Sequence, residues 1–246
     1  MISLAAQNIV VVGGGSGLGW AAAELAIELG ARVVIADIDS GTAAKAVSLG
    51  AGASFRLCDA RKPQQTQELF DRAVKDLGGI DGVLTTVGGA HIGSIEELDL
   101  AAWNAELEFN LTSAYLVCRS ALPHLKNRGG GAIVTTSSGY ALLPGPDRMA
   151  YTAAKAGVIA FTRSLAASAA PYHVRANCIA PGPVDTPRFR AMNGGAAGVE
   201  QVRQRMPLGS IPQPRDCAYL ALFLLSKAAA QITGQVIHVN GGLIMP

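Results

Sequence analysis

Residues 9–19 read IVVVGGGSGLG: four β-branched residues run without a spacer into a cluster of glycines. A small-residue, helix-forming stretch follows from about 17 to 29 and meets Gly30, a residue suited to ending a helix. An uninterrupted apolar run is the pattern of a strand buried on both faces, and such strands sit in parallel sheets. Gly13, Gly17 and Gly19 fall where that strand must turn sharply into the helix. Glycine tolerates positive φ there and lets backbone approach a pyrophosphate, which the helix N-terminus attracts through free N–H groups and its dipole. Ser16 and Leu18 complete the turn.

The same alternation continues along the chain. Strand-like runs at 31–37, 54–60, 81–86, 131–138, 173–182 and 234–242 are separated by helix-like stretches at 41–49, 64–77, 101–126, 150–170 and 214–225. The long 101–126 pattern is expected to break near residues 97–103, and 187–198 reads as an irregular, glycine-rich piece. Continuous apolar strands alternating with helices predict an α/β fold, a Rossmann-like doubly wound parallel sheet. With 246 residues, no repeat and no linker, a single domain over 1–246 is expected, with a substrate loop at about 187–213.

Composition narrows the function classes. Half the residues are hydrophobic and 15% are charged, which argues against disorder. The net charge of +2, with no run of Lys or Arg, points away from a nucleic-acid partner. The opening MISLAAQN has no basic, apolar signal pattern, and no apolar run approaches the roughly 18–20 residues a membrane helix needs. Cys58, Cys118, Cys178 and Cys217 lie far apart and have no metal-ligand spacing with the four histidines. They read as reduced, buried thiols of a cytoplasmic protein. No metal is expected.

Two further features carry chemistry. Asp37 stands at the end of the second strand, eighteen residues past Gly19. A carboxylate there accepts hydrogen bonds from ribose hydroxyls and repels a 2′-phosphate; neither Ser16 nor Ile38 offers that phosphate a cation. The second is YTAAK at 151–155, where helical spacing puts Tyr151 and Lys155 one turn apart on one face. A lysine ammonium so placed stabilises a phenolate and is expected to lower the tyrosine pKa toward neutrality.

Taken in order, these residues resemble the short-chain dehydrogenase/reductase family over nearly the whole chain. Gly13-x-x-x-Gly17-x-Gly19 is similar to its cofactor loop, with Val12 where threonine is usual. The resemblance implies that Asp59 and Ala60 meet the adenine, and that Asn110, Ser138, Tyr151 and Lys155 are the catalytic residues. Asn110 would hold a relay water, Ser138 the substrate oxygen, and Lys155 the nicotinamide ribose as well. Pro181, Gly182, Val184 and Thr186 of PGPVDT resemble the loop that holds the nicotinamide. One departure stands out. Thr85, Thr86, Val87 and Gly88 replace the family's usual Asn-Asn-Ala-Gly, which puts local sheet-stabilising hydrogen bonds in question while Gly88 keeps the backbone path.

The implied function is an NAD-dependent dehydrogenase of a secondary alcohol, or the reverse ketone reductase, assembled as a homotetramer or homodimer through the helices near 101–126 and 150–170. Leu142, Leu143, Met149, Phe189 and Met192 suggest a neutral, mostly apolar substrate, with Tyr140 as a polar contact and His91, Arg188 and Arg190 as solvated residues. The alternatives are a 3-oxoacyl-carrier-protein-type ketone reductase, whose usual NADPH Asp37 opposes, and a dinucleotide-binding regulator without turnover. A methyltransferase would leave Ser138, Tyr151 and Lys155 unexplained.

Overall fold

The computed structural model describes residues 2–245; the terminal Met1 and Pro246 of the expected 1–246 domain lie outside the described residues. Seven parallel strands form one sheet: β1 (Asn8–Val12), β2 (Arg32–Asp37), β3 (Ala53–Leu57), β4 (Gly82–Thr85), β5 (Gly131–Thr136), β6 (Val174–Pro181) and β7 (Val236–Val239). Their order is β3-β2-β1-β4-β5-β6-β7. The chain winds outward from β1 to β3, then crosses back to place β4 on the other side of β1. That reversal opens a crevice beyond the carboxyl ends of β1 and β4, where doubly wound sheets bind ligands.

Every residue of β1 is buried, and its side chains alternate between two cores. Val10 and Val12 join Phe70, Val117, Leu125 and Ile133 on the face covered by α3 (Pro63–Leu77) and α5 (Ser113–Arg128). Ile9 and Val11 join Leu25, Ile35 and Leu222 on the face covered by α1 (Gly17–Glu28) and α9 (Pro214–Leu225). Period-2 alternation between two dry faces accounts for the unbroken IVVV run. All four cysteines are buried free thiols, and burial lifts Cys58 to about 11 and Cys118 and Cys217 to about 12. No described helix is long and apolar enough to cross a membrane.

Elements at the carboxyl edge differ from the sequence expectation in two places. The expected break near 97–103 is instead a helix start: Asp99 accepts the Ala102 N–H at 2.7 Å and caps α4 (Leu100–Leu107). The irregularity falls later, where a wide π turn at Glu108–Thr112 joins α4 to α5. Such turns insert a residue into the helical ladder and gather at functional sites. The expected irregular piece holds α7 (Pro187–Met192) and α8 (Ala196–Gln204), divided by Gly194 and Gly195, both at positive φ. Thr186 caps α7 by accepting the Phe189 N–H at 3.1 Å, and Pro187 takes the first helical position, where its missing N–H is not needed. Between β2 and β3 lies the short α2 (Thr42–Val47), and α6 (Met149–Ala169) follows β5.

Phe70 is fully buried in the core beneath α5. Phe70→Ala is expected to lower stability by about 3–5 kcal/mol through lost transfer energy and a cavity. Urea denaturation of the two proteins checks this; a loss under about 1 kcal/mol would show that the site collapses or was never close-packed.

Candidate active site

The glycine turn is pinned from both neighbouring strands. Asp37, at the end of β2, accepts the Gly15 N–H at 2.7 Å with one carboxylate oxygen and the Asp39 N–H at 3.0 Å with the other. Thr86, just past β4, donates its hydroxyl to the Gly13 carbonyl at 2.9 Å. The threonine therefore restores a tie that the departure from Asn-Asn-Ala-Gly put in question. The glycines themselves are required. Gly13 and Gly17 lie at φ +82° and +51°, and a Cβ on Gly19 would sit 2.2 Å from the Gly13 carbonyl oxygen.

An open groove of about 920 Å³ runs from this turn across the switch point. Gly13, Ser16, Gly17, Leu18 and Gly19 line it, together with Asp37, Ile38, Asp59 and Ala60. Gly88, Glu106, Thr186 and Arg188 also line it. The cradle fits a dinucleotide on its own terms. Ser16 makes no side-chain cap and no acid occupies the first turn of α1, so the helix's leading N–H groups are unspent and its positive end is uncompensated. Asp59 is less free than expected, because Arg61 donates to both its oxygens at 2.9 Å and holds its carboxyl below the usual range. Lys45, which the sequence reading passed over, reaches to 3.5 Å from the Gly15 carbonyl.

The second half of the site gathers at Gly88. Its φ is +149°, and a Cβ there would meet Asn110 Oδ1 at 2.5 Å and Lys155 Nζ at 2.7 Å. Asn110 sits in the π turn, fully buried. Its Oδ1 accepts the Gly89 N–H at 3.0 Å, and its Nδ2 donates to the Gly89 carbonyl, the Glu106 carbonyl and Glu106 Oε2 at 2.9–3.0 Å. The Asn110 side chain is thus committed to protein partners. Lys155, 3% exposed, donates to the Thr136 carbonyl at 3.0 Å, and its own carbonyl accepts the Ser137 hydroxyl at 2.7 Å.

Tyr151 and Lys155 occupy the first turns of α6, as their spacing predicted, with Nζ 5.7 Å from the tyrosine ring centroid. Ser138 lies at the end of the β5 loop, and the Gly139 beside it packs on Pro181 and Gly182. Val184 and Thr186 follow on the same loop after β6. Tyr140 packs edge-on to Tyr151 at 6.3 Å, and Arg148 donates to its hydroxyl at 3.2 Å.

The electrostatics correct one expectation. Tyr151 is held above, not below, its ordinary range: burial raises it most and the Glu106 carboxylate adds to this, against the Ser138 hydroxyl and the Arg188 charge. Lys155 is itself weakened, brought down to about 8 by burial despite support from Cys178 and Glu106. Arg188 also departs from its expected solvated role. It remains exposed, yet its guanidinium lies over Gly89, 2.5 Å from where a Cβ would be, and donates to the Ala90 carbonyl at 3.3 Å. Arg190 is spent on Asp185, at 2.6 and 2.7 Å. Leu142, Leu143 and Met192 are exposed.

These features define a Rossmann-like α/β protein with its crevice at the switch point between β1 and β4. An enoyl-(acyl carrier protein) reductase family model matches residues 12–244. The cis-4-hydroxycyclohexanecarboxylate dehydrogenase of Sinomonas cyclohexanicum is 35% identical over 98% of this chain and 97% of its own length. The D-beta-hydroxybutyrate dehydrogenase of Cupriavidus necator is 32% identical over 97% and 98%. A 3-oxoacyl-[acyl-carrier-protein] reductase of Chlamydia muridarum is 32% identical over 95% and 96%. The chain belongs to the short-chain dehydrogenase/reductase family and is an oxidoreductase.

Lys155 yields a pH test. Its folded pKa of about 8 lies below the ordinary 10.5, so the folded protein gives up this proton first. The burial penalty is present in full below pH 8 and is relieved as pH rises from 8 through 10.5. Lys155→Met should therefore melt higher than the parent at neutral pH, with its advantage shrinking at about pH 9.5. An advantage that grows with pH would reverse the assignment.

Proposed function

We propose that the protein moves a hydride between NAD and a secondary alcohol or its ketone, with Tyr151 as acid/base assisted by Lys155 and Ser138. The observation that carries this reading is the pairing on α6: the Tyr151 phenol beside Tyr140 and, one turn on, a buried amine held beside Gly88. A bound nicotinamide supplies hydride acceptance; the chain's own residues do the rest. The leading N–H groups of α1 receive the pyrophosphate, and Asp37 accepts from the ribose hydroxyls. Ser138 donates to the substrate oxygen and steadies its developing charge. Tyr151 Oη takes the hydroxyl proton in oxidation and returns it in reduction. Burial opposes phenolate formation, so the Lys155 ammonium must offset it; with its pKa at about 8, Lys155 is charged near neutrality.

The apolar side chains Leu142, Leu143, Met149, Phe189 and Met192 favour a neutral secondary alcohol. Two relatives act, by their names, on hydroxycarboxylates, and a third on a 3-oxoacyl carrier. Arg188 is the group such a carboxylate would meet. A marked anionic preference that disappears in Arg188→Ala would replace the neutral substrate in this reading.

NADH fluorescence during a screen of secondary alcohols and ketones tests the proposal. Tyr151→Phe should keep NAD binding within a few-fold and lose at least ~10²-fold in turnover, as general acid–base catalysis requires. Near-normal turnover in that variant would remove Tyr151 from proton transfer. Asp37 should favour NAD over NADP by roughly tenfold or more through ribose hydrogen bonds and charge repulsion, and Asp37→Ala should narrow the gap. Equal kcat/KM with the two cofactors in the parent would contradict the assignment.

A further inference from the structure

Among the described residues, Glu106 is the one buried carboxylate, 8% exposed, and the chemistry above leaves it without a task. It comes from the last turn of α4 and lines the groove. Burying an ionised carboxylate is expensive unless each oxygen is satisfied. Here both are: Oε1 accepts the His91 N–H at 2.6 Å and Oε2 accepts Asn110 Nδ2 at 2.9 Å. Nδ2 shares its two protons among three acceptors, the Glu106 carboxylate, the Glu106 carbonyl and the Gly89 carbonyl. Only a side chain with two acceptor atoms satisfies Asn110 and His91 at once. An amide would turn its NH₂ toward one of those donors.

The consequence reaches Lys155 through short contacts. Asn110 Oδ1 holds the Gly89 N–H at 3.0 Å, and Asn110 Oδ1 and Lys155 Nζ both occupy the space that a Cβ on Gly88 would take. Glu106 thus fixes the wall of residues 88–91 against which the buried amine rests. The charged and titratable groups that face Glu106 are His91 from the loop after β4, Arg188 from α7, and Lys155 and Tyr151 from α6. No described lysine or arginine forms a salt bridge with it.

We propose that Glu106 is a positioning residue for the Tyr151–Lys155 pair: its carboxylate clamps Asn110 and the 89–91 wall beside which the buried Lys155 amine lies. This rests on the acid/base role given to Tyr151 above. The charge argument has a definite sign. Glu106 raises Lys155 against the burial that lowers it, and it also raises Tyr151. Neutralising Glu106 should therefore move both ionisations to lower pH. A residue that only filled space would move neither.

The test compares Glu106→Gln with Glu106→Asp in the full chain, each folded by circular dichroism. Tyrosinate ultraviolet absorbance, taken as the difference between each protein and its Tyr151→Phe counterpart, reports Tyr151 ionisation without any substrate. Glu106→Gln should lower that midpoint by about half a pH unit or more, while Glu106→Asp leaves it near the parent value. Hydrogen exchange over residues 88–93 should accelerate about tenfold in Glu106→Gln as one donor loses its acceptor. An unmoved midpoint in Glu106→Gln, or an equal shift in Glu106→Asp, overturns the inference. Neither readout needs turnover, so an inactive parent would sink the proposed function while these data still decide the role of Glu106.

Discussion

The turn from β1 into α1 is the constraint on which the rest of the molecule depends. β1 is buried on both faces, so its direction is set by two cores at once, and it must end in a turn with no room for a side chain at Gly13, Gly15 or Gly19. The closest approach is Gly19 against the Gly13 carbonyl, where any Cβ would lie at 2.2 Å. Each neighbouring strand then contributes a side-chain tie to that turn: Asp37 at the end of β2 through the Gly15 N–H, and Thr86 just past β4 through the Gly13 carbonyl. The ligand crevice is thus shaped by the strand order, because the two strands that pin the turn, β2 and β4, are the neighbours of β1 on either side, and the switch point lies between β1 and β4.

Beyond the crevice, burial and charge compete. Desolvation is the largest influence on both Tyr151 and Lys155, and it works against the charged form of each. The site answers with fixed partners: the Thr136 carbonyl on Lys155, the Ser138 hydroxyl near Tyr151, and the Glu106 carboxylate behind Asn110. Gly88 lets these parts meet, since its missing side chain leaves the space that Asn110 and Lys155 share. A dry site strengthens every such interaction, which makes the placement of each partner consequential.

What the sequence disclosed follows from how local each signal is. The strand, the glycine turn and Asp37 lie within thirty residues and were legible as pattern and spacing. So was the Tyr151–Lys155 pair, because helical periodicity alone puts both on one face. Glu106 was not legible: on a helix whose neighbours include Asn104 and Glu108 it reads as solvated, and only the tertiary approach of residues 88–91 buries it. The tie from Thr86 depends on β4 lying beside β1, which no local pattern states. The α7 start was available in Thr186–Pro187, a capping residue before a proline, but the glycines after it masked the signal. The π turn at Glu108–Thr112 left no mark in composition, and the break was expected at the Asp99 cap instead.

On the function proposed above, the crevice over β1 and β4 receives a nicotinamide dinucleotide. Trp20 stands in the first turn of α1, next to Gly19, and is one of two tryptophans in the chain. Quenching of the remaining Trp20 fluorescence by NADH, in a Trp103→Phe background, therefore reports on the helix that follows the glycine turn. Saturable quenching that NAD reverses by competition, and that is lost when Gly17→Val introduces a side chain at φ +51°, is the predicted result. No saturable quenching in the parent, or equal quenching in Gly17→Val, would contradict it.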